Sequence, residues 1–199
     1  GVVIVLGGHR CGTSSVAGVL SRLGFPAALA GDEIGGSASN PRGHFEDATL
    51  CRMHERMLGR GGWRDPWAPV GVPARVKSQY VGHLRRRASA AQRWCVKDPR
   101  LCLLLPVLIE SLRECAIEAR MVSVFRPVES AAESLRRRQR MPREAARRIA
   151  WLYEGARRAQ VAWVHSATDM PVLGVEYDAL LNDPGAGVQR VAEFVGVGA

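Results

Sequence analysis

The chain has 199 residues, 47% of them hydrophobic, with a mean hydropathy of −0.07. That suits one folded domain with a buried core and excludes an intrinsically disordered chain. Apolar runs are short, and Leu101 to Leu105 stops at Pro106, well below the ~20 residues of a membrane-spanning helix. Net charge is +9, from 28 basic and 19 acidic residues; a surface of that sign favours nucleotides, phosphate or sulfate esters, nucleic acid or anionic lipid.

Val2 to Leu6 is wholly apolar and mostly β-branched, which predicts a strand buried on both faces, as in a parallel sheet. It lacks the basic flank of a secretory signal and runs straight into Gly7-Gly8-His9-Arg10-Cys11-Gly12. Val16, Val19, Leu20 and Leu23 then repeat at helical spacing, ended by Gly24 and Pro26. Residues 31 to 45 form a polar loop rich in Gly, Ser, Asn and Pro; 46 to 59 read as a helix. Residues 60 to 73 read as a loop carrying Trp63 and Trp67, and 74 to 90 as a basic helix. Arg93 to Lys97 predicts a second buried strand, and Leu101 to Cys115 a helix interrupted early by Pro106.

Met121 to Phe125 is a third strand, with Pro127 where the next helix begins; that helix buries Val128, Ala131, Ala132 and Leu135. A long Arg-rich helix covers about 142 to 166, and Val172 to Val175 is a fourth strand. Asp183-Pro184 supplies a cap and first-turn proline for a last helix burying Val188, Val191, Ala192 and Val195. There is no internal repeat or dividing linker, so residues 1–199 are one α/β domain, with 31–92 as an insert of loops and a helix.

Lys77 and Lys97 are the sole lysines, which leaves 26 arginines. A coding bias of that size dilutes the meaning of any one arginine and raises that of a lysine at a chemically useful place. Cysteines 11, 51, 95, 102 and 115 are odd in number and include no C-x-x-C pair. They argue against a disulfide framework or zinc site and for a reducing, cytoplasmic compartment. No metal site is assigned.

Gly7-x-x-x-x-Gly12-Thr13-Ser14 has the spacing of a phosphate-binding loop between a strand and a helix. Glycines let backbone N–H groups turn inward, and the helix N-terminus is positive. The fold class is therefore a single P-loop-type domain: a mainly parallel sheet of four to five strands covered by helices on both faces. The lysine that would bridge the phosphates of a nucleoside triphosphate is replaced by Thr13, and the loop's cation is Arg10. Cys11 could suggest a phosphatase nucleophile, but that loop needs an arginine six residues on, where this chain has Ala17.

With four further segments, the chain resembles the sulfotransferase superfamily, which uses 3′-phosphoadenosine 5′-phosphosulfate (PAPS). G-G-H-R-C-G-T-S-S is similar to that family's 5′-phosphosulfate loop. N-P-R-G-H-F-E-D (Asn40 to Asp47) resembles the acceptor-side loop of many bacterial members, and V-K-D-P-R (Val96 to Arg100) their K-D-P segment. F-R-P-V-E-S-A-A-E-S-L (Phe125 to Leu135) is similar to the 3′-phosphate site, and E-Y-D-A-L-L-N-D-P (Glu176 to Pro184) to the late strand-to-helix segment. Two departures are plain. Proline follows Arg126 directly, and the late glycine-rich nucleotide loop of cytosolic members is absent.

The resemblance implies sulfuryl transfer from PAPS to a hydroxyl of a carbohydrate, lipid or small-molecule acceptor, without a required metal. Arg10, Cys11, Gly12, Thr13, Ser14 and Ser15 would hold the 5′-phosphosulfate, with Arg10 also on the bridging oxygen. Arg126 and Ser134 would hold the 3′-phosphate, and Ser130 and Arg138 share the helix face of Ser134. Lys97, at a strand end, would reach the reacting centre. The proton acceptor is Glu46 or His44, with Glu33 as a third choice. His9 reads as a backbone-setting neighbour, Trp63 and Trp67 as an acceptor wall or loop anchors, and the arginines at 85 to 87 and 136 to 140 as surface charge first and acceptor-binding patches second. Two other readings compete: a Mg-ATP kinase, and a basic nucleic-acid-binding module with no recognition motif. The acceptor's identity and the oligomeric state are not encoded in any recognisable pattern.

Overall fold

A computed structural model describes residues 1–36, 43–59 and 71–198. In chain order these form β1 (Val2–Leu6), α1 (Thr13–Arg22), α2 (Ala48–Leu58), α3 (Ala74–Ala90), β2 (Trp94–Lys97), α4 (Leu101–Glu114) and β3 (Ala119–Phe125). Then come α5 (Val128–Gln139), α6 (Arg143–Ala167), β4 (Val172–Glu176), α7 (Tyr177–Asn182) and α8 (Pro184–Phe194). The four strands are parallel in the order β2-β1-β3-β4. Alternation along each strand sends successive side chains to opposite faces. Val2, Ile4 and Leu6 join Met53, Leu84, Leu105, Leu108 and Tyr153 on one face. Val3 and Val5 join Val16, Leu20, Val175 and Val191 on the other. Both faces are covered, which is why β1, between two neighbours, is apolar throughout.

Three expectations are corrected. Pro106 does not interrupt its helix: α4 runs unbroken through it. Pro106 is exposed, so its ring takes the solvent side, while Leu101, Leu105, Leu108, Ile109 and Leu112 are buried on the opposite side. Val188 is 36% exposed, not core, because α8 turns it toward a surface groove beside α1. Arg87 is not surface charge. It is 1% exposed, and it stacks 4.7 Å over the Trp94 ring.

The burial of Arg87 organises the region between β1 and β2. Its Nη1 donates to Asp47 Oδ2 (2.9 Å) and Ala27 O (2.8 Å), and its Nη2 to Pro26 O (2.8 Å) and Cys95 O (3.2 Å). Asp47 also caps α2 by accepting from the Leu50 N–H at 2.9 Å. His83 completes the set: Arg86 Nη2 donates to its Nδ1, which leaves the Nε2–H to donate to Asp47 Oδ2 at 2.8 Å. Burial alone would raise the Asp47 carboxyl, but the His83 and Leu50 hydrogen bonds and the Arg87 charge hold it below its ordinary value. Asp32, Asp47 and His83 place ligand atoms within 4.8 Å of one another, but the cation already on Asp47 is Arg87. Among the described residues no helix is long and apolar enough to cross a membrane.

Arg87→Leu leaves Asp47 buried without its main counter-charge, so the expected loss is about 3 kcal/mol, read as a lower urea midpoint. Adding Asp47→Asn should cost less than the sum of the two single changes, since each removes the same pair. Because the folded carboxyl is depressed, the pair's contribution is complete at neutral pH and is lost as pH falls through that depressed value.

Candidate active site

Parallel strands deliver their carboxyl ends, and the loops after them, to one edge of the sheet. Here the loops after β1, β2, β3 and β4 surround a cavity of about 320 Å³. The glycine loop forms its floor. A Cβ on Gly7 would come within 2.6 Å of Val124 O, and one on Gly12, at φ 86°, would fall 2.0 Å from the Tyr177 ring. Neither position tolerates a side chain. Arg10 itself sits in the left-handed region at φ 67°, an unfavourable place for a non-glycine residue, and one that turns its guanidinium toward α5. Its Nε donates to Ser134 Oγ at 3.0 Å. Burial first, then the neighbouring Arg138 cation, lowers its pKa from the ordinary arginine value. Helix geometry leaves the Thr13 and Ser14 N–H groups, in the first turn of α1, without intrahelical acceptors. Both residues line the cavity, as do Gly12 and Ser15.

The segment before α2 supplies the opposite wall. The Lys97 side chain, at the end of β2, is 3% exposed, and its Nζ donates to Glu46 Oε1 (2.5 Å) and to the His44 carbonyl (3.0 Å). Cys51 Sγ approaches the other Glu46 oxygen at 3.8 Å. Phe45, at φ 53°, lays its ring against Gly18, where an added Cβ would meet it at 3.1 Å. His44 lines the cavity, with its pKa lowered by burial and by the Lys97, Arg138 and Arg10 charges, against the opposing pull of Glu46. His9 also lines it, edge-on to Tyr153 at 4.9 Å, and burial lowers its pKa to about 3, so the ring is neutral.

Behind Lys97 lies a buried polar chain that the sequence did not reveal. Asp98 accepts from the Arg100 N–H (2.9 Å) and Arg100 Nη1 (3.0 Å), and pairs with His54 Nδ1 at 2.7 Å. His54 Nε2 meets Tyr80 OH at 2.9 Å, and Arg100 Nη2 reaches Glu55 at 2.7 Å. Burial opposes ionisation of Asp98, but His54 and Arg100 overcome it and hold the carboxyl far below the usual range. Arg100, so fixed, lines the cavity.

The third wall comes from β3, α5 and α7. Arg126 follows β3 directly, and its Nε donates to Asp178 Oδ1 at 2.8 Å while its guanidinium lies 5.3 Å from the Tyr177 ring centroid. Pro127 takes the cap position with extended backbone, so α5 starts at Val128 and still brings Ser134 and Arg138 to the cavity. Ser130 does not reach it. Beside Tyr177 a second, mainly apolar groove of about 630 Å³ runs between α1 and α7–α8, lined by Val19, Phe45, Leu180 and Val188 and sharing Ser14, Ser15 and Tyr177 with the cavity.

The structure thus brings together Arg10, Gly12, Thr13, Ser14, Ser15, His44, Glu46, Lys97, Arg126 and Ser134 from five places along the chain. It does not bring Cys11, which turns into an apolar cluster with Ala131, Ala132 and Ala150 and whose thiol burial pushes up to about 11. Glu33 is bridged to Asp47 and lies outside the cavity lining. Asn40, Trp63 and Trp67 lie outside the described residues. Tyr177 and Arg100 were missed as site residues, although each stood inside a motif already singled out. Among the described residues the lining carries five cationic side chains, Arg10, Lys97, Arg100, Arg126 and Arg138, against one carboxylate, Glu46. A surplus of that sign favours an anionic ligand.

Neither a protein-family model nor a curated protein matches the chain. Solved structures do. The sulfotransferase domain from the Synechococcus PCC 7002 olefin synthase aligns over 100% of this chain and 74% of its own, with TM-score 0.59 and 18% identity. The sulfotransferase domain from the curacin biosynthetic pathway aligns over 100% of this chain and 75% of its own, with TM-score 0.59 and 14% identity. At these identities the likeness speaks to architecture alone: the chain shares the fold of those two sulfotransferase domains.

Proposed function

We propose that the chain is a sulfotransferase that moves a sulfuryl group from PAPS to a hydroxyl of a carbohydrate, lipid or small-molecule acceptor. The observation that carries this reading is the pairing of two anion subsites in one cavity. One is the glycine loop with Arg10; the other is Arg126 with Ser134 and Arg138. Two separated clusters suit a nucleotide bearing phosphates at both the 5′ and 3′ positions, and the adjoining apolar groove suits its base. PAPS, when bound, supplies an electrophilic sulfur and a phosphate leaving group.

The first-turn N–H groups of α1 and the Arg10 guanidinium hold the 5′ end. Arg126, Ser134 and Arg138 hold the 3′-phosphate. Lys97 Nζ and Arg10 offset the charge that gathers on the bridging oxygen as its bond to sulfur breaks. Glu46 takes the acceptor hydroxyl's proton as the new oxygen–sulfur bond forms. Its contact with Lys97 aims that carboxylate at the same centre. His44 lines the same wall and is the alternative base.

The kinase reading is disfavoured by how the carboxylates are used. A magnesium-holding aspartate is expected at a strand end; Asp98 stands there but is committed to His54 and Arg100, and Glu46 to Lys97.

Calorimetric titration should show adenosine 3′,5′-bisphosphate binding more tightly than ATP with Mg²⁺, and Arg126→Ala should weaken the bisphosphate by about tenfold or more. Preference for Mg-ATP would overturn the proposal. With an acceptor in hand, Glu46→Gln should slow release of the bisphosphate product by about 10²-fold or more at unchanged donor affinity. His44→Asn should leave most of that rate. The reverse pattern would transfer the proton-accepting role to His44.

A further inference from the structure

Arg126 and Asp178 are brought together by the sheet itself. β3 and β4 pair in parallel with Phe125 opposite Glu176, so Arg126, just past β3, faces the start of α7. There the Asp178 carboxylate accepts from Arg126 Nε at 2.8 Å. The pair is partly exposed, 23% and 33% at the two side chains, and pairs of that kind contribute little to folding stability. Its geometry has a different consequence. An arginine gripped at Nε keeps both Nη groups for another partner, and among the described residues neither Arg126 Nη has one. The guanidinium is fixed on a second side by the Tyr177 ring, whose own position is set by contact with Gly12.

We propose that Asp178 is a positioning residue that holds Arg126 with its two Nη groups turned to the cavity, preset for a phosphate at the nucleotide's 3′ position. The inference rests on the donor reading given above and adds to it a residue outside the cavity lining. Without the carboxylate, the arginine's several rotamers would be sampled freely, and binding would have to order them. The carboxylate also brings a like charge near the phosphate. The proposal is that presetting outweighs that repulsion, since Asp178 meets the guanidinium on its Nε side, away from the two Nη groups left for the ligand.

The test compares adenosine 3′,5′-bisphosphate with adenosine 5′-monophosphate, which lacks the 3′ group, by calorimetric titration of the whole chain. Asp178→Ala should weaken the bisphosphate by about fivefold to tenfold and leave the monophosphate unchanged. Asp178→Asn keeps an oxygen acceptor for Nε and should restore most of the affinity. In the Arg126→Ala background, Asp178→Ala should have no further effect, because the group it positions is gone. Thermal unfolding of each variant separates this from loss of α7. Equal losses for both ligands, additive losses with Arg126→Ala, no loss, or tighter binding by Asp178→Ala would each overturn the proposal. Wild-type chain that fails to prefer the bisphosphate over the monophosphate would overturn the donor reading along with it. Preference retained in the wild type and unmoved by Asp178→Ala would sink the role of Asp178 alone.

Discussion

A guanidinium can sit among backbone carbonyls inside a protein only if its charge is met there, and Arg87 is met by Asp47 at 2.9 Å. The consequences spread outward from that pair. Arg87 ties the segment after α1 to β2 through Pro26, Ala27 and Cys95, while Asp47 starts α2 and receives His83 from α3. The residue before Asp47 is Glu46, so fixing one carboxylate inside the core fixes the next at the cavity wall, in contact with Lys97. This wall of the cavity is therefore anchored from within, by a buried ion pair that lies outside the cavity lining.

The same logic recurs on a smaller scale around the cavity. Lys97 is held by Glu46 and a carbonyl, Arg100 by Asp98 and Glu55, Arg126 by Asp178, and Arg10 by Ser134. Each cation has a partner that directs it without filling all its donors. Five positive side chains in one small space repel one another, and the lowered Arg10 pKa, set by burial and then Arg138, registers that strain. A multiply charged ligand would relieve it. Preset cations in a partly buried site are also what charge stabilisation of a transferring group requires, because they need not reorganise as charge shifts.

How much of this could be read from the residues alone follows from how each feature is encoded. β1 was legible because five apolar residues precede a glycine loop, and α8 because Asp183-Pro184 caps it. Lys97 stood out because lysine is scarce here. Arg87 was illegible for the converse reason: among 26 arginines, one buried by a Trp94 stack and an Asp47 contact has no local signature. Its helical spacing from Tyr80 and Leu84, both buried, was the available signal. The chain from Tyr80 through His54 to Asp98 joins three elements distant in sequence, so only the tertiary fold makes it visible. Pro106 was misread because local propensity argues for a break, whereas a helix with one fully apolar face keeps its path when the proline lies on the solvent side.

In the proposed function, two anion subsites in one cavity read the two ends of one nucleotide. A structure of the chain with adenosine 3′,5′-bisphosphate bound is the decisive measurement. The 5′-phosphate is expected on the first turn of α1 beside Arg10, the 3′-phosphate on Arg126, Ser134 and Arg138, and the base along the groove past Tyr177. A bisphosphate bound in the reverse direction, or away from the glycine loop, would contradict it.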